Sequence, residues 1–285
     1  LYTNIAIGTN RLINTKKSYV IFLDQIGLWG ASRPSDGLGL KFPKYSIEDI
    51  AQANYRLLRD KLNVAEVKLA VGVSSGANLA LIWSLLHPDY VKTVIASSSN
   101  LSANSLSGWT MFLAMAAFKS DPIWRKTKGN YYHLPKEKHP IQGIKFGFSF
   151  FRYILMKRET LLKMPWRDIE SSIFFWKPTG IQSSALTMSA KKLDLNDVIC
   201  KMDSILRGIQ YKPASNMHKI KAKTVFFQIK GDMWTPPEVA VKDAKKVKNS
   251  IIITFSHKNS HIGAFRALNK YKKKLIPIFK KLGIH

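Results

Sequence analysis

The feature that most constrains the fold is an apolar run that leads through two closely spaced glycines into a helix-compatible segment. Residues 67–73, "VKLAVGV", are typical of a buried strand, and residues 76–88 are typical of a helix that Pro88 ends. A third apolar run, residues 91–98, follows within a few residues. Because a strand, a helix and a second strand in close succession form a right-handed crossover, the segment predicts two parallel strands of one sheet.

The same alternation recurs on both sides of a long interruption. Before it we predict a strand at 19–24 and a helix at 46–62, which begins with a Ser-x-x-Asp cap. After it we predict strands at 223–231 and 250–257 and helices at 236–249 and 263–282, the last bent near Pro277. This order indicates an α/β fold with a mostly parallel sheet flanked by helices.

The interruption, residues 101–215, contains many aromatic residues and helical spacings and no convincing strand. An insert of this length is too long for a loop, so we expect a separate helical layer. The predicted organisation is therefore a core formed by residues 1–100 and 216–285, with residues 101–215 inserted as a helical lid.

The turn Gly72-Val73-Ser74-Ser75-Gly76 matches a Gly-x-Ser-x-Gly pattern between the predicted strand and helix. In a sharp strand-to-helix turn, small flanking residues permit close backbone packing and expose the side chain of the central serine. This position indicates Ser74 as a nucleophile. The backbone N–H of the following residue, Ser75, then becomes a candidate donor to an oxyanion.

Two later loops supply candidates for an acid and a base. Asp232 follows the strand at 223–231 directly, in "GDMWTPPE". The next strand leads to His257 at its end and His261 in the loop beyond. A serine triad of this kind has the chain order Ser, Asp, His, with the acid and base after late strands. We prefer His261, because the histidine of such a triad comes from a loop after the strand, and His257 remains the alternative.

These three residues predict acyl transfer through a serine ester. His261 would accept the proton of Ser74, and Asp232 would orient the imidazole and stabilise its positive charge. A second oxyanion donor normally lies in a loop after an earlier strand, and none is evident before residue 19. We therefore expect that the N-terminal part of the core is missing from this chain.

At these positions the chain resembles the α/β-hydrolase superfamily and, within it, the homoserine O-acetyltransferase-like group. The similar segments are "VIFLDQIGLWGASRPSD", "GVSSGA", "SDPIWRKTKGNYY" with "HPIQG", "KKLDLNDVI", "GDMWTPPE" and "SHKNSHIGAF". The resemblance implies an α/β-hydrolase fold with a helical lid insertion. It also implies that Ser74, Asp232 and His261 are the nucleophile, acid and base.

The elbow differs from that of the acetyltransferases. Val73, Ser75 and Ala77 stand where the acetyltransferases favour Gly, Met and Gly, and the arginine that often follows the "PxxG" segment of the lid is not evident. Despite these differences, the resemblance implies an acyl-serine enzyme that transfers an acyl group from acyl-CoA to a small hydroxyl acceptor. The alternative is an esterase that cleaves a small ester.

Composition restricts the remaining classes. The net charge is +27, with the largest excess of Lys and Arg after residue 216, yet no nucleic-acid motif accompanies it. A third hypothesis is accordingly a non-enzymatic, basic surface-binding protein. The single cysteine, Cys200, excludes an internal disulfide and a multi-cysteine metal site. We expect a small-molecule substrate, no nucleic-acid partner, no membrane span, no metal and no bound cofactor, with acetyl-CoA as a co-substrate. A homodimer is compatible with the chain, and the expected location is the cytoplasm.

Overall fold

The computed structural model describes residues 6–9, 11–166, 193–210, 213–257 and 259–281. Two parts of the predicted lid, residues 167–192 and 211–212, and the predicted end of the last helix at residue 282 lie outside these ranges.

A four-stranded sheet forms the centre of the described structure. Its strands are β1 (Ala70–Val73), β2 (Thr93–Ser97), β3 (Lys223–Ile229) and β4 (Ser250–Phe255). They lie side by side in the order β1-β2-β3-β4, and each neighbouring pair is parallel. All four carboxyl ends therefore meet at one edge of the sheet, as the alternation of strands and helices predicts.

Ten α-helices are defined in the described part of the chain. They are α1 (Ile47–Arg56), α2 (Ser75–Leu86), α3 (Ser105–Lys119), α4 (Pro122–Lys126), α5 (Gln142–Leu155), α6 (Arg158–Leu162), α7 (Leu195–Gln210), α8 (Pro237–Ala244), α9 (Ser260–Lys270) and α10 (Lys272–Lys281). Five of them, α3 to α7, lie between β2 and β3, where the described residues contain no strand. The division into a core and a lid stays a prediction.

Local sequence signals explain where two of these helices begin. Ser46 caps α1, because its side chain accepts a hydrogen bond from the Asp49 N–H and the Asp49 carboxylate accepts one from the Ser46 N–H. Helix α8 begins at Pro237, whose missing N–H costs nothing at the first helical position.

The buried side chains of β3 alternate between the two faces of the sheet. Phe226 packs into the hydrophobic cluster that contains α1 and α2. Phe227 and Ile229 pack into the opposite cluster, with side chains from α9 and α10. This period of two is expected of a strand covered by helices on both faces. A third cluster, which includes Phe118 and Phe151, lies among the helices that follow β2.

The predicted strand at 19–24 is wrong. These residues form no hydrogen-bonded ladder, and β1 pairs only with β2 among the described residues. Ile21 and Leu23 still pack against the core, whereas Tyr19 and Phe22 are exposed. The apolar character of this run thus agrees with the partial burial of its side chains. A strand also needs a neighbouring strand with which to form hydrogen bonds.

The predicted last helix is divided at a position that the sequence did not indicate, and the bend near Pro277 stays a prediction. The break falls at Tyr271, between α9 and α10, and Pro277 lies inside α10. Tyr271 leaves helical geometry (φ −97°, ψ 16°), and its ring packs 5.2 Å from that of Phe255. The break thus coincides with a position where an aromatic ring packs onto the strand β4.

Candidate active site

Ser74 occupies a strained turn between β1 and α2. Its backbone has φ 56° and ψ −125°, a conformation that non-glycine residues rarely adopt. Its N–H donates a hydrogen bond to the Ser97 carbonyl (2.9 Å), which holds the turn against the end of β2. A Cβ atom on Gly72 would lie 2.1 Å from the Gly76 carbonyl oxygen, so only glycine fits there. The turn thus has the elbow geometry that the sequence predicts.

His261 reaches this serine from the beginning of α9. Its Nε2 lies 2.8 Å from the Ser74 Oγ, and its Nδ1 lies 2.7 Å from an Asp232 oxygen. Both His261 and Asp232 are buried. When Nδ1–H donates to the carboxylate, Nε2 is the unprotonated nitrogen and accepts the serine hydroxyl proton. The structure therefore brings together all three residues that the sequence indicates.

The loop after β3 holds Asp232 in place. The carboxylate accepts hydrogen bonds from the N–H groups of Trp234 (3.0 Å) and Thr235 (3.1 Å) and from the Thr235 hydroxyl (2.8 Å). Burial by itself raises the pKa of this carboxyl, but the attraction of His261 and the hydrogen bonds outweigh it, so the pKa of Asp232 is lowered. Asp232 is thus an ionised partner for the imidazole.

Sequence reasoning did not identify Thr235 and Trp234 as part of this site. The indole of Trp234 lies 5.3 Å from the His261 ring and stacks on Phe151 of α5 at 4.8 Å. Ser107 of α3 donates a 2.6 Å hydrogen bond to the Trp234 carbonyl. The Asp-x-x-Thr spacing before two prolines is a turn signal that points to Thr235, whereas the contacts with α3 and α5 leave no local signal.

The alternative base, His257, has a different hydrogen-bond partner from His261. Its Nδ1 accepts a hydrogen bond from the Asn259 N–H (3.1 Å). A Cβ atom on Gly263 would lie 2.0 Å from the same nitrogen, so the ring packs closely against the first turns of α9. Of the two histidines, the structure brings His261 to the serine.

The predicted oxyanion donor lies at the start of α2. Ser75 is the first residue of that helix, and no described residue accepts a hydrogen bond from its N–H. The first N–H groups of a helix lack partners within the helix and favour negative charge. The location suits an oxyanion, and the assignment of Ser75 stays a prediction.

A cavity of about 130 Å³ opens beside Ser74. Its walls include Asn78 of α2, the residues 100–103 between β2 and α3, and Trp234 with Thr235. None of the described residues that line it carries a charge. For comparison, a cavity of ~150 Å³ accommodates benzene, so this space suits a short, uncharged acyl group.

The Asp-Asn-Asp segment that opens α7 joins three parts of the structure. Asp194 accepts hydrogen bonds from the hydroxyls of Tyr131 (2.8 Å) and Tyr132 (2.9 Å). Asn196 accepts one from the Trp124 indole (2.8 Å). Asp197 accepts two from Ser35, from its N–H (2.8 Å) and its hydroxyl (2.7 Å). These motif residues connect the helices after β2 with the loop after residue 24 and do not contact Ser74.

The described part of the chain contains no cluster of His, Cys, Asp and Glu that could hold a metal ion. None of its helices combines the length and the apolar character that crossing a bilayer requires.

Comparison with known proteins places the chain in a family. A model described as "alpha/beta hydrolase fold" matches residues 10–260. A homoserine O-acetyltransferase of Carboxydothermus hydrogenoformans is 28% identical over 156 residues, which are 52% of this chain and 38% of that protein. The chain therefore spans less than half the length of this relative.

Two other similarities extend over nearly the whole chain. A probable acyltransferase of Methanothermobacter thermautotrophicus is 22% identical over 261 residues, 90% of this chain and 74% of that protein. The crystal structure of an acetylester hydrolase from Corynebacterium glutamicum is similar with a TM-score of 0.76 and 20% identity, covering 99% of this chain and 81% of that one. The chain belongs to the family of proteins with the α/β-hydrolase fold.

Proposed function

We propose that the protein is a serine-dependent acyl-transfer enzyme that works through an acyl-serine intermediate. The observation that carries the proposal is the continuous hydrogen-bonded series from the Ser74 Oγ through His261 to Asp232, with distances of 2.8 and 2.7 Å. A neutral serine hydroxyl is a poor nucleophile, and a base within hydrogen-bond reach is what activates it. The ionised Asp232 stabilises the positive charge that the imidazole acquires.

The reaction takes place in two halves. In the first, the Ser74 Oγ attacks the carbonyl carbon of the acyl donor while His261 accepts the hydroxyl proton, and the resulting oxyanion is stabilised by the Ser75 N–H. Collapse of the intermediate breaks the bond to the leaving group, which takes the proton from His261. In the second half, a hydroxyl compound or water attacks the acyl-serine by the same steps and releases the acyl product.

For the acyl donor and acceptor we propose an acyl-CoA, such as acetyl-CoA, and a small hydroxyl compound. Support comes from the homoserine O-acetyltransferase and the probable acyltransferase to which the chain is similar. The cavity beside Ser74, at about 130 Å³, has room for a short acyl chain such as acetyl.

A second candidate is hydrolysis of a small ester, which uses the same three residues with water as the acceptor. One observation favours it: no described residue that lines the cavity carries a charge. Homoserine carries both an ammonium and a carboxylate group, and a buried charge needs a partner of opposite sign. A neutral ester has no such requirement.

The experiment that tests the proposal compares acyl donors and acceptors with one protein preparation. Purified protein is incubated with acetyl-CoA, with and without homoserine, and separately with p-nitrophenyl acetate, and the Ser74 peptide is examined by mass spectrometry. We expect an acetyl mass shift on Ser74 that is absent from Ser74→Ala. CoA release only with a hydroxyl acceptor indicates a transferase, whereas acceptor-independent ester cleavage indicates an esterase. Failure of every donor to acylate Ser74 would contradict the proposal.

A further inference from the structure

Asp243 is a fully buried carboxylate outside the group formed by Ser74, His261 and Asp232. It lies in α8 and is 0% exposed. One of its oxygens accepts hydrogen bonds from two consecutive backbone N–H groups, those of Leu101 (2.7 Å) and Ser102 (3.0 Å). The other accepts from the Ser102 hydroxyl and lies 3.4 Å from the Lys246 ammonium. Burial of a carboxylate is costly unless it is paired in this way.

The backbone that Asp243 holds is a wall of the cavity beside Ser74. Residues 100–103 connect the end of β2 to α3, and all four line the cavity. Another part of the wall is formed by Trp234 and Thr235, which lie in the loop that leads into α8. Asp243 therefore joins one wall of the cavity to the helix that continues from the other wall.

Other side chains also bond to this wall: the Asn100 amide donates to the Ser102 carbonyl (2.8 Å), and the Lys246 ammonium donates to the Ser102 hydroxyl (2.9 Å). The hydroxyls of Ser98 and Ser99 are buried and form no hydrogen bond with any described residue. The Ser107 hydroxyl supplies a second connection, because it donates to the Trp234 carbonyl at 2.6 Å. Ser107 lies in the first turn of α3, however, beyond residues 100–103. Among the described residues, the Asp243 carboxylate is the acceptor for both the Leu101 and the Ser102 N–H groups, so it fixes the backbone at these two positions.

We propose that Asp243 is a positioning residue that sets which acyl groups fit beside Ser74. The inference rests on the proposed acyl-transfer function. Because interiors are closely packed, a shift of this wall by a fraction of an ångström changes the volume that an acyl chain can occupy. Asp243 touches neither the substrate nor the reacting atoms, so it acts on acyl-chain preference and on KM more than on the chemical step.

Two variants of Asp243 separate positioning from simple stabilisation. In Asp243→Asn the amide oxygen can accept both N–H groups, and the amide NH₂ can donate to the Ser102 hydroxyl, so the wall is retained. In Asp243→Ala both buried N–H groups lose their acceptor, and the wall is released. Glu238→Ala is the matched control, because it removes a carboxylate from an exposed position of the same helix.

The test measures kcat and KM for p-nitrophenyl acetate, butyrate and hexanoate with the purified protein and each variant. For Asp243→Ala we expect the ratio of kcat/KM for acetate to that for hexanoate to change about tenfold, mainly through KM. Asp243→Asn and Glu238→Ala should keep the wild-type ratio within about threefold. Circular dichroism and thermal unfolding verify that each variant is folded.

The outcomes are distinguishable. If the wild-type protein cleaves none of the esters and accepts no acyl-CoA, the proposed function fails and this inference fails with it. If the wild type is active and folded Asp243→Ala keeps the same acyl preference, or if Asp243→Asn loses it equally, only the inference is overturned. Should Asp243→Ala not fold, Ser102→Ala removes one of the same hydrogen bonds. It is expected to shift the ratio about threefold in the same direction, and an unchanged ratio would contradict the role.

Discussion

The His261 Nε2 lies 2.8 Å from the Ser74 Oγ, although 187 positions separate the two residues in the chain. The parallel sheet accounts for this proximity, because Ser74 follows β1 and His261 follows β4, and all strands end at the same edge. Asp232 follows β3, so the loops after β1, β3 and β4 each contribute one side chain at that edge.

The two adjacent serines of the elbow should behave differently when they are substituted. Ser74→Ala removes the hydroxyl beside His261, and we expect kcat to fall by about 10⁴-fold or more. Ser75→Ala leaves the backbone N–H in place, so its kcat/KM should remain within about threefold of the wild-type value. Steady-state kinetics with p-nitrophenyl acetate measure both. Loss of activity in Ser75→Ala together with retained activity in Ser74→Ala would show that the nucleophile has been assigned to the wrong serine.

The two histidines offer a similar comparison. His261→Ala should abolish turnover, because no other described base lies within hydrogen-bond reach of the Ser74 Oγ. His257→Ala should retain most of the activity in any molecule that remains folded, since His257 bonds to Asn259. Kinetics are to be interpreted with thermal unfolding of each variant. If folded His257→Ala is inactive while His261→Ala retains turnover, His261 is not the base.

Substitution of Asp232 by asparagine tests the role of its charge. The neutral amide cannot stabilise the imidazolium, and its NH₂ group favours the wrong histidine tautomer, so we expect kcat to decrease by about 10⁴-fold. The fold should persist, because an amide oxygen can still accept the N–H groups of Trp234 and Thr235. A decrease of less than about tenfold would indicate that His261 works without an acidic partner.

The two glycines of the elbow are not equivalent. In Gly72→Ala the new methyl group would lie 2.1 Å from the Gly76 carbonyl oxygen, so we expect loss of folded protein or of activity. In Gly76→Ala the nearest atom outside its own helix is the Gln25 Nε2 at 3.9 Å, an ordinary contact. Soluble yield, thermal unfolding and ester cleavage distinguish the pair. Comparable damage from both substitutions would contradict the steric explanation.

A buried lysine makes stability depend on pH in the alkaline range. Lys201 is 4% exposed, its ammonium donates to the Gln25 side-chain oxygen, and burial lowers its pKa to about 8. The unfolded chain, with a lysine pKa of about 10.4, binds more protons between these values, so stability rises with pH across that window. Below pH 8 the cost of burying the charge is present in full.

Lys201→Met should therefore be more stable than the wild type at pH 7, by about 2 kcal/mol, and this advantage should shrink towards pH 10. Urea denaturation at pH 7 and pH 9.5 measures the difference in unfolding free energy. Lys242→Met, at an exposed position of α8, controls for the general loss of a positive charge. A difference that is independent of pH would show that Lys201 is not buried in its charged form.

Several features of the fold could be predicted because their signals are local. The elbow is one continuous segment, and its glycines and flanking apolar runs indicate a strand, a turn and a helix without reference to the rest of the chain. Asp232 and His261 each follow a recognisable strand. Their convergence on Ser74 needs only the rule that parallel strands end at one edge. The division into core and lid, the homodimer and the cytoplasmic location stay predictions.

Other features depend on partners that are distant in the chain. The run at 19–24 has the composition of a strand but no partner strand among the described residues. The helix break at Tyr271 coincides with the packing of its ring against Phe255, a contact between distant segments. The position of Asp243 under residues 101–102 has no local signal, because an aspartate in an amphipathic helix is usually exposed.

By itself, then, the sequence determined the parallel α/β architecture and the strand-turn-helix at Ser74, and it limited the candidate partners of Ser74 to Asp232 and one of two histidines. Hydrophobic periodicity and turn chemistry act over a few residues, so short stretches of sequence are enough to recognise them. Only the tertiary structure decided between His261 and His257, and only it placed Thr235 and Trp234 in the cavity wall and Asp243 behind residues 101–102. Those choices depend on distances between segments that only packing brings together, and local periodicity carries no information about them.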